Sequence, residues 1–279
     1  MTMMLYALNS LKKLFLLSIS SLLLLSCSKP EKEENAKLIL QFADEFDTLS
    51  LDTSSPPTGI KNWATYYVGW NVHHLIGNND QCYKTFYPHV SQMLHEITAS
   101  DSTIKLYGMP TPAIDSSKVE DFPYIGGMLS GQVQHPQLYG YWEVRARFLI
   151  SKSQHWGIWL VQSNNKGPAE IDLLEVVGNG INPITNVYMT QHGSQNDYMT
   201  VVTEVTIDQF HLYGLEWTTT YLAWYLDGVQ IKKIPNYIYS PMYMMITPEI
   251  ANNWAGPPDS TTAWPTVCEL DYVRIYNKK

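Results

Sequence analysis

Between Tyr139 and Ile150 the chain reads YGYWEVRARFLI, and this alternation constrains the fold more than any other feature of the sequence. Trp142, Val144, Ala146 and Phe148 fall at every second position, with Tyr141, Glu143, Arg145 and Arg147 between them. Successive side chains of a strand point to opposite faces, so one face of this segment is apolar and the other polar. A helix would scatter both sets around its circumference. The same period recurs in YLAWYLDGVQIKKI, where Asp227-Gly228 separates two runs as a hairpin turn does, and in the closing CELDYVRIY. From about Leu38 onward no helical periodicity of useful length competes with it. SSPPTG and GPPDSTTAWP read as loops from their proline and glycine content. No internal repeat or linker divides this region, which predicts a single all-β sandwich domain over residues 38–279.

The first 37 residues have a different character. Lys12 and Lys13 precede LFLLSISSLLLL, an apolar run shorter than the ~20 residues that span a bilayer. Its shape is that of a secretory signal. It ends in LLSC, a lipobox-like sequence that predicts cleavage before Cys27 and lipidation of that cysteine. Residues 1–27 therefore read as a lipoprotein signal peptide, and 28–37, beginning SKPEKEEN, as a flexible charged tether. The expected location is extracytoplasmic, lipid-anchored at the outer membrane, with the acidic run after Cys27 suggesting exposure at the cell surface. Cys82 and Cys268 remain, and such a compartment permits a disulfide between them as readily as two buried thiols.

Charge excludes one class of partner. The net charge is −8, and Arg145, Arg147 and Arg274 are the only arginines, so the basic footprint of a nucleic-acid-binding surface is missing. Aromatic residues are abundant, with 9 Trp and 19 Tyr. Most suit a sandwich core, and some could line a sugar-binding cleft.

The densest chemistry lies in EIDLLE, which sets Glu170, Asp172 and Glu175 in an otherwise apolar strand. Glu170 and Asp172 share a face, whereas Glu175 is out of phase with both. One residue bulged between Asp172 and Glu175, either Leu173 or Leu174, would return Glu175 to their face. Side chains leaning inward along such a strand could bring the two glutamate carboxyls to about 5 Å, the separation of a retaining glycosidase. An acidic solvated strand face would read the same way on the hexapeptide alone.

The neighbouring segments add a resemblance. EIDLLE, preceded by YIGGMLSGQ and YGYWEVRARF and followed by HLYGLEWTTTYLAWYLDG and WAGPPDSTTAWPTVCELDYVRIY, resembles glycoside hydrolase family 16, the laminarinase, lichenase and agarase family. FADEFD and GNNDQCY match its early strands. The resemblance implies a concanavalin-like β-jelly-roll sandwich of two antiparallel sheets with a concave substrate cleft. It implies Glu170 as nucleophile, Glu175 as general acid/base and Asp172 as the assisting acid, with no cofactor for catalysis. Trp159, His192, Asn79 and Trp254 fall at substrate-binding positions. Asp271 occupies a position that in many members holds a structural calcium. His155 and Trp156, in HWGIW, replace a common Trp-Pro beside the cleft and join the substrate-binding candidates. NNKGPA replaces the Trp often found before the catalytic strand, and ITPEIANNWAG, with Pro248 and Glu249, replaces an Asn-containing stretch.

The expected function is a monomeric retaining endo-glycoside hydrolase acting on a polysaccharide, first a 1,3- or mixed-linkage β-glucan. Red-algal galactans of the agar or porphyran type and bacterial exopolysaccharides are alternatives. A carbohydrate-binding lipoprotein without turnover is the competing class.

Overall fold

In the computed structural model, residues 37–54, 57–65, 81–82, 90–98, 100–163, 169–178, 187–192, 198–202 and 205–279 are described, with side chains excepted at 81–82, 187–192 and 198–202. Cys27 and Asn79 lie outside the described residues. In chain order the first strands are β1 (Leu38–Asp44), β2 (Leu51–Asp52), β3 (Trp63–Ala64), β4 (Gln81–Cys82), β5 (His95–Thr98) and β6 (Thr103–Pro110). Next come β7 (Tyr124–Gly126), β8 (Leu129–Ser130), β9 (Gly140–Leu149), β10 (Gln154–Gln162), β11 (Glu170–Gly178) and β12 (Val187–His192). The last are β13 (Tyr198–Val202), β14 (His211–Trp217), β15 (Tyr221–Leu226), β16 (Val229–Pro235), β17 (Met242–Ile250) and β18 (Thr266–Lys278). A 3-10 turn, Ala113–Val119, was not foreseen from periodicity.

Two sheets form. The ten-stranded sheet runs β16-β15-β14-β9-β18-β6-β7-β4, with β1 on β18 and β5 on β6. The eight-stranded sheet runs β13-β12-β11-β10-β17-β8-β3-β2. Pairing is antiparallel except in two two-residue pairs, β2–β3 and β4–β7, which are parallel. These lie at the far ends of their sheets.

The alternation that opens the sequence becomes the sandwich core. In β9, Trp142, Val144, Ala146 and Phe148 are fully buried, while the residues between them are partly exposed. They pack with Trp156, Ile158 and Leu160 of β10 and Trp217 and Trp224 of the ten-stranded sheet, in one cluster between the layers. Removing such surface from water contributes roughly 25 cal/mol per Å2, so the tryptophans dominate the cohesion of the layers. The turn between β15 and β16 has φ of 51° at Asp227 and 78° at Gly228. Two successive left-handed residues are what a tight two-residue hairpin requires, and Gly228 takes that conformation without strain.

Candidate active site

Three adjacent strands of the eight-stranded sheet, β11, β10 and β17, build the cleft on the face away from the core. Their register sets residues in rows. His155 lies between Val177 and Glu249, Gly157 between Glu175 and Thr247, Trp159 between Asp172 and Met245, and Val161 between Glu170 and Tyr243. The resulting pocket is lined by Glu170, Asp172 and Glu175 from β11, His155, Gly157 and Trp159 from β10, and Thr247 and Glu249 from β17.

All three acids of EIDLLE reach this pocket because β11 is bulged. Trp159 pairs with Asp172 and Ile158 with Leu174, so Leu173 has no opposite number on β10. On the other side Asp172 faces Thr190 and Glu175 faces Tyr188, three steps of β11 against two of β12. Leu173 and Leu174 both turn into the core, where each is at most 1% exposed. Two inward leucines in succession restore the outward phase for Glu175. From the opposite sheet, the Trp224 Nε1–H donates to the carbonyl of Asp172 at 2.8 Å, tying the bulge to the core beneath it.

Burial and mutual charge set the protonation of the acids. Asp172 is 2% exposed. Burial first, then the charges of Glu170 and Glu175, push its carboxyl well above the usual carboxylate range. It therefore holds its proton and donates a hydrogen bond to Glu170. Glu170 is pushed up to about 7, chiefly by burial and then by the charges of Glu175 and Glu249, with the Asp172 hydrogen bond and His155 acting in the other direction. Two neighbouring acids thus carry less than two negative charges near neutral pH.

On the other side of the row, His155 Nε2 lies 3.3 Å from Glu175 Oε1, and His155 Nδ1 lies 3.4 Å from Glu249 Oε2. Burial disfavours charge on the ring, but the flanking carboxylates prevail and push it up to about 10. Glu249, although partly buried, is held below its ordinary value by its contacts with His155 and Asn252. The Asn252 amide nitrogen lies 2.8 Å from Glu249 Oε2 and 2.9 Å from His155 Nδ1. Its oxygen accepts from the backbone N–H groups of Trp254 and Ala255, which fixes the orientation of the amide.

Several predicted positions fall into place around this group. Trp159 is half-buried, and its Nε1–H donates to Thr247 Oγ1 at 3.0 Å, leaving the ring against the pocket. Gly157 puts no side chain between Glu175 and Thr247, which keeps that row open. Trp254 is 38% exposed and meets His155 edge-on at 5.5 Å. The backbone of His192 pairs with Glu170 on β12, and its side chain is outside the described residues.

Other positions need correction. Trp156 does not reach the cleft. It is 0% exposed in the core, and its Nε1–H donates to Thr266 Oγ1 at 2.8 Å. Its neighbour His155 takes the cleft face, and adjacent residues of a strand cannot share one. The carboxylate of Asp271 pairs with Arg145 at 2.5 Å. Cys268 is a free buried thiol, which excludes the disulfide alternative in this structure. The contribution of Glu249 and Asn252 was missed in the sequence, where ITPEIANNWAG stood out only as an unusual replacement.

Comparison with known proteins gives this arrangement a context. The family model for Glycosyl hydrolases family 16 matches residues 96–266. Endo-1,3-1,4-beta-glycanase EglC of Rhizobium meliloti is 28% identical over 251 residues, covering 88% of this chain and 53% of that protein. The chain spans about half the length of such curated relatives. The laminarinase catalytic domain of Thermotoga maritima shares the fold with a TM-score of 0.68 at 18% identity, covering 87% of this chain and 99% of that one. SCLam, a non-specific endo-beta-1,3(4)-glucanase crystallised with an oligosaccharide at its active site, has a TM-score of 0.70 at 25% identity, covering 86% of this chain and 95% of its own.

Proposed function

The chain belongs to glycosyl hydrolase family 16, and from that premise we propose that it is a retaining endo-glycanase of 1,3- or mixed-linkage β-glucan. The observation that carries the reading is the bulge at Leu173, which sets Glu170, Asp172 and Glu175 along one cleft wall in unlike environments. In the first step Glu170 attacks the anomeric carbon while the Glu175 carboxyl gives its proton to the glycosidic oxygen, and the C–O bond to the leaving sugar breaks. Asp172, holding its own proton, steadies the Glu170 carboxylate through their hydrogen bond. In the second step a water gives a proton to Glu175 and its oxygen to the anomeric carbon, releasing Glu170 with configuration retained. Trp159 offers a flat apolar face to a sugar ring. The glucan preference is supported by the names of the relatives, an endo-1,3-1,4-beta-glycanase and laminarinases among them.

Laminarin, mixed-linkage glucan, agarose, porphyran and a bacterial exopolysaccharide, each incubated with the protein and with Glu170→Gln, test the reading. Reducing ends should appear on a glucan, and the variant should lose at least about 10³-fold in rate. Silence on every polymer, with wild type and variant binding one of them equally, would replace hydrolysis with carbohydrate binding.

The same proposal places the protein on the extracytoplasmic side of the outer membrane, anchored through a lipidated Cys27. The apolar run and LLSC support it. Cys27→Ser should move the protein from the membrane fraction to the soluble one, and unchanged partitioning would count against the anchor.

A further inference from the structure

We propose that His155, held by Glu249 and Asn252, is a positioning residue for the general acid, its buried Nε2 set 3.3 Å from Glu175 Oε1. The inference rests on the glycanase reading above. Its basis is a three-part contact across two neighbouring rows of the sheet. Glu249 on β17 and His155 on β10 are register partners, and Glu175 is two residues along on β11 from Val177, the partner of His155. Asn252 follows β17 by two residues and closes the group from the side, with both of its amide atoms committed.

The ring is constrained at each edge. Either the Asn252 amide donates to Nδ1, or Nδ1 carries a proton that Glu249 attracts. In both states Nε2 carries a proton and lies 3.3 Å from Glu175 Oε1, an ion-pair contact in which this buried N–H makes no hydrogen bond among the described residues. Such contacts in a free enzyme shorten when substrate closes the site. The ring cannot swing out readily, because it is 5% exposed and Trp254 covers it edge-on. The titratable groups around it are Glu175 from β11 and Glu249 from β17, with Glu170 and Asp172 further along β11. The β12 side chains opposite Glu175 are outside the described residues.

The consequence is chemical. As Glu175 delivers its proton to the leaving sugar it becomes a carboxylate, and the ring N–H held 3.3 Å away stabilises that developing charge. A sugar leaving group is a poor one and needs the full strength of the acid. An aryl group with a low-pKa phenol departs with little help. Loss of the His155 donor should therefore slow cleavage of a glucan far more than cleavage of an activated aryl β-glycoside.

The experiment compares the wild type with Glu249→Gln and His155→Phe on laminarin or mixed-linkage glucan and on a dinitrophenyl β-oligoglucoside, over pH 4–9. Glu249→Gln keeps the shape of the group and guards against a folding failure of His155→Phe. On the polymer each variant should lose about tenfold or more in kcat with little change in KM, and far less on the aryl glycoside. Glu249→Asp should recover part of the rate. An active wild type whose Glu249→Gln variant shows equal losses on both substrates would overturn the positioning role while leaving the glycanase reading intact. A wild type inactive on every polymer and on the aryl glycoside would overturn the glycanase reading and this inference with it.

Discussion

Glu170 carries a carboxyl that folding moves from an ordinary value of 4.5 to about 7, chiefly through burial. The folded state thus binds its proton more tightly than the unfolded chain does. That contribution to stability is complete below pH 4.5 and is lost as pH rises through 7. Tm measured from pH 4 to 8 should fall across this window, and Glu170→Gln, which cannot ionise, should flatten the fall. An equal slope in both proteins would show that another group governs it. His155 behaves in the same sense at higher pH, its stabilisation present below about 6.5 and lost as pH rises through about 10. At this scale the sequence exposed the three acids of EIDLLE by their density, because three carboxylates in an apolar strand demand an explanation. Glu249 and Asn252 had no such signal. Both meet His155, 94 residues or more away along the chain, and the β10–β17 pairing brings them together. Trp156 was misplaced through neglect of alternation, since His155 and Trp156 cannot both face the sugar.

The bulge in β11 is a property of the element and makes a prediction that no single side chain does. Deleting Leu173 removes the residue without a partner on β10 and leaves Glu170, Asp172 and the second glutamate at every second position of a regular strand. All three acids should still face the cleft. The cost is one buried leucine, about 2–5 kcal/mol of stability, with hydrolysis of the glucan retained at a reduced rate. Deleting both Leu173 and Leu174 should instead set Glu175 directly after Asp172, on the core face, and abolish activity. Reducing-sugar release and chemical denaturation of the two variants check this contrast, and an inactive deletion variant that is fully folded would show that the bulge does more than restore phase. The need for a bulge was legible from parity, and so was the hairpin at Asp227-Gly228. Two-residue strands such as β2, β3 and β4 were not, because so few residues establish no period. The Ala113–Val119 turn likewise completes too few turns to leave a pattern.

Across the whole molecule, division of labour between the sheets was readable from one strand, since the alternation in β9 already separates an inner face of large apolar groups from an outer polar one. Strand order was not, because it is decided by pairings between segments far apart in the chain. β18 shows how far. Its 13 residues take β6 along one half and β1 along the other, with β9 on the opposite edge. The pairing of β1 with β18 carries a further consequence. The Lys279 N–H donates to the Lys37 carbonyl at 3.1 Å, so the two ends of the sandwich are neighbours. Chain connectivity is then separable from architecture. A circularly permuted protein, with Lys279 joined to Lys37 by a short glycine-serine link and a new start opened between Asp227 and Gly228, should fold to the same sandwich and cleave the same glucan. Far-UV circular dichroism and reducing-sugar release measure both, and a permutant that aggregates would mean that the order of synthesis, and not the closed sheets alone, guides the chain to its fold.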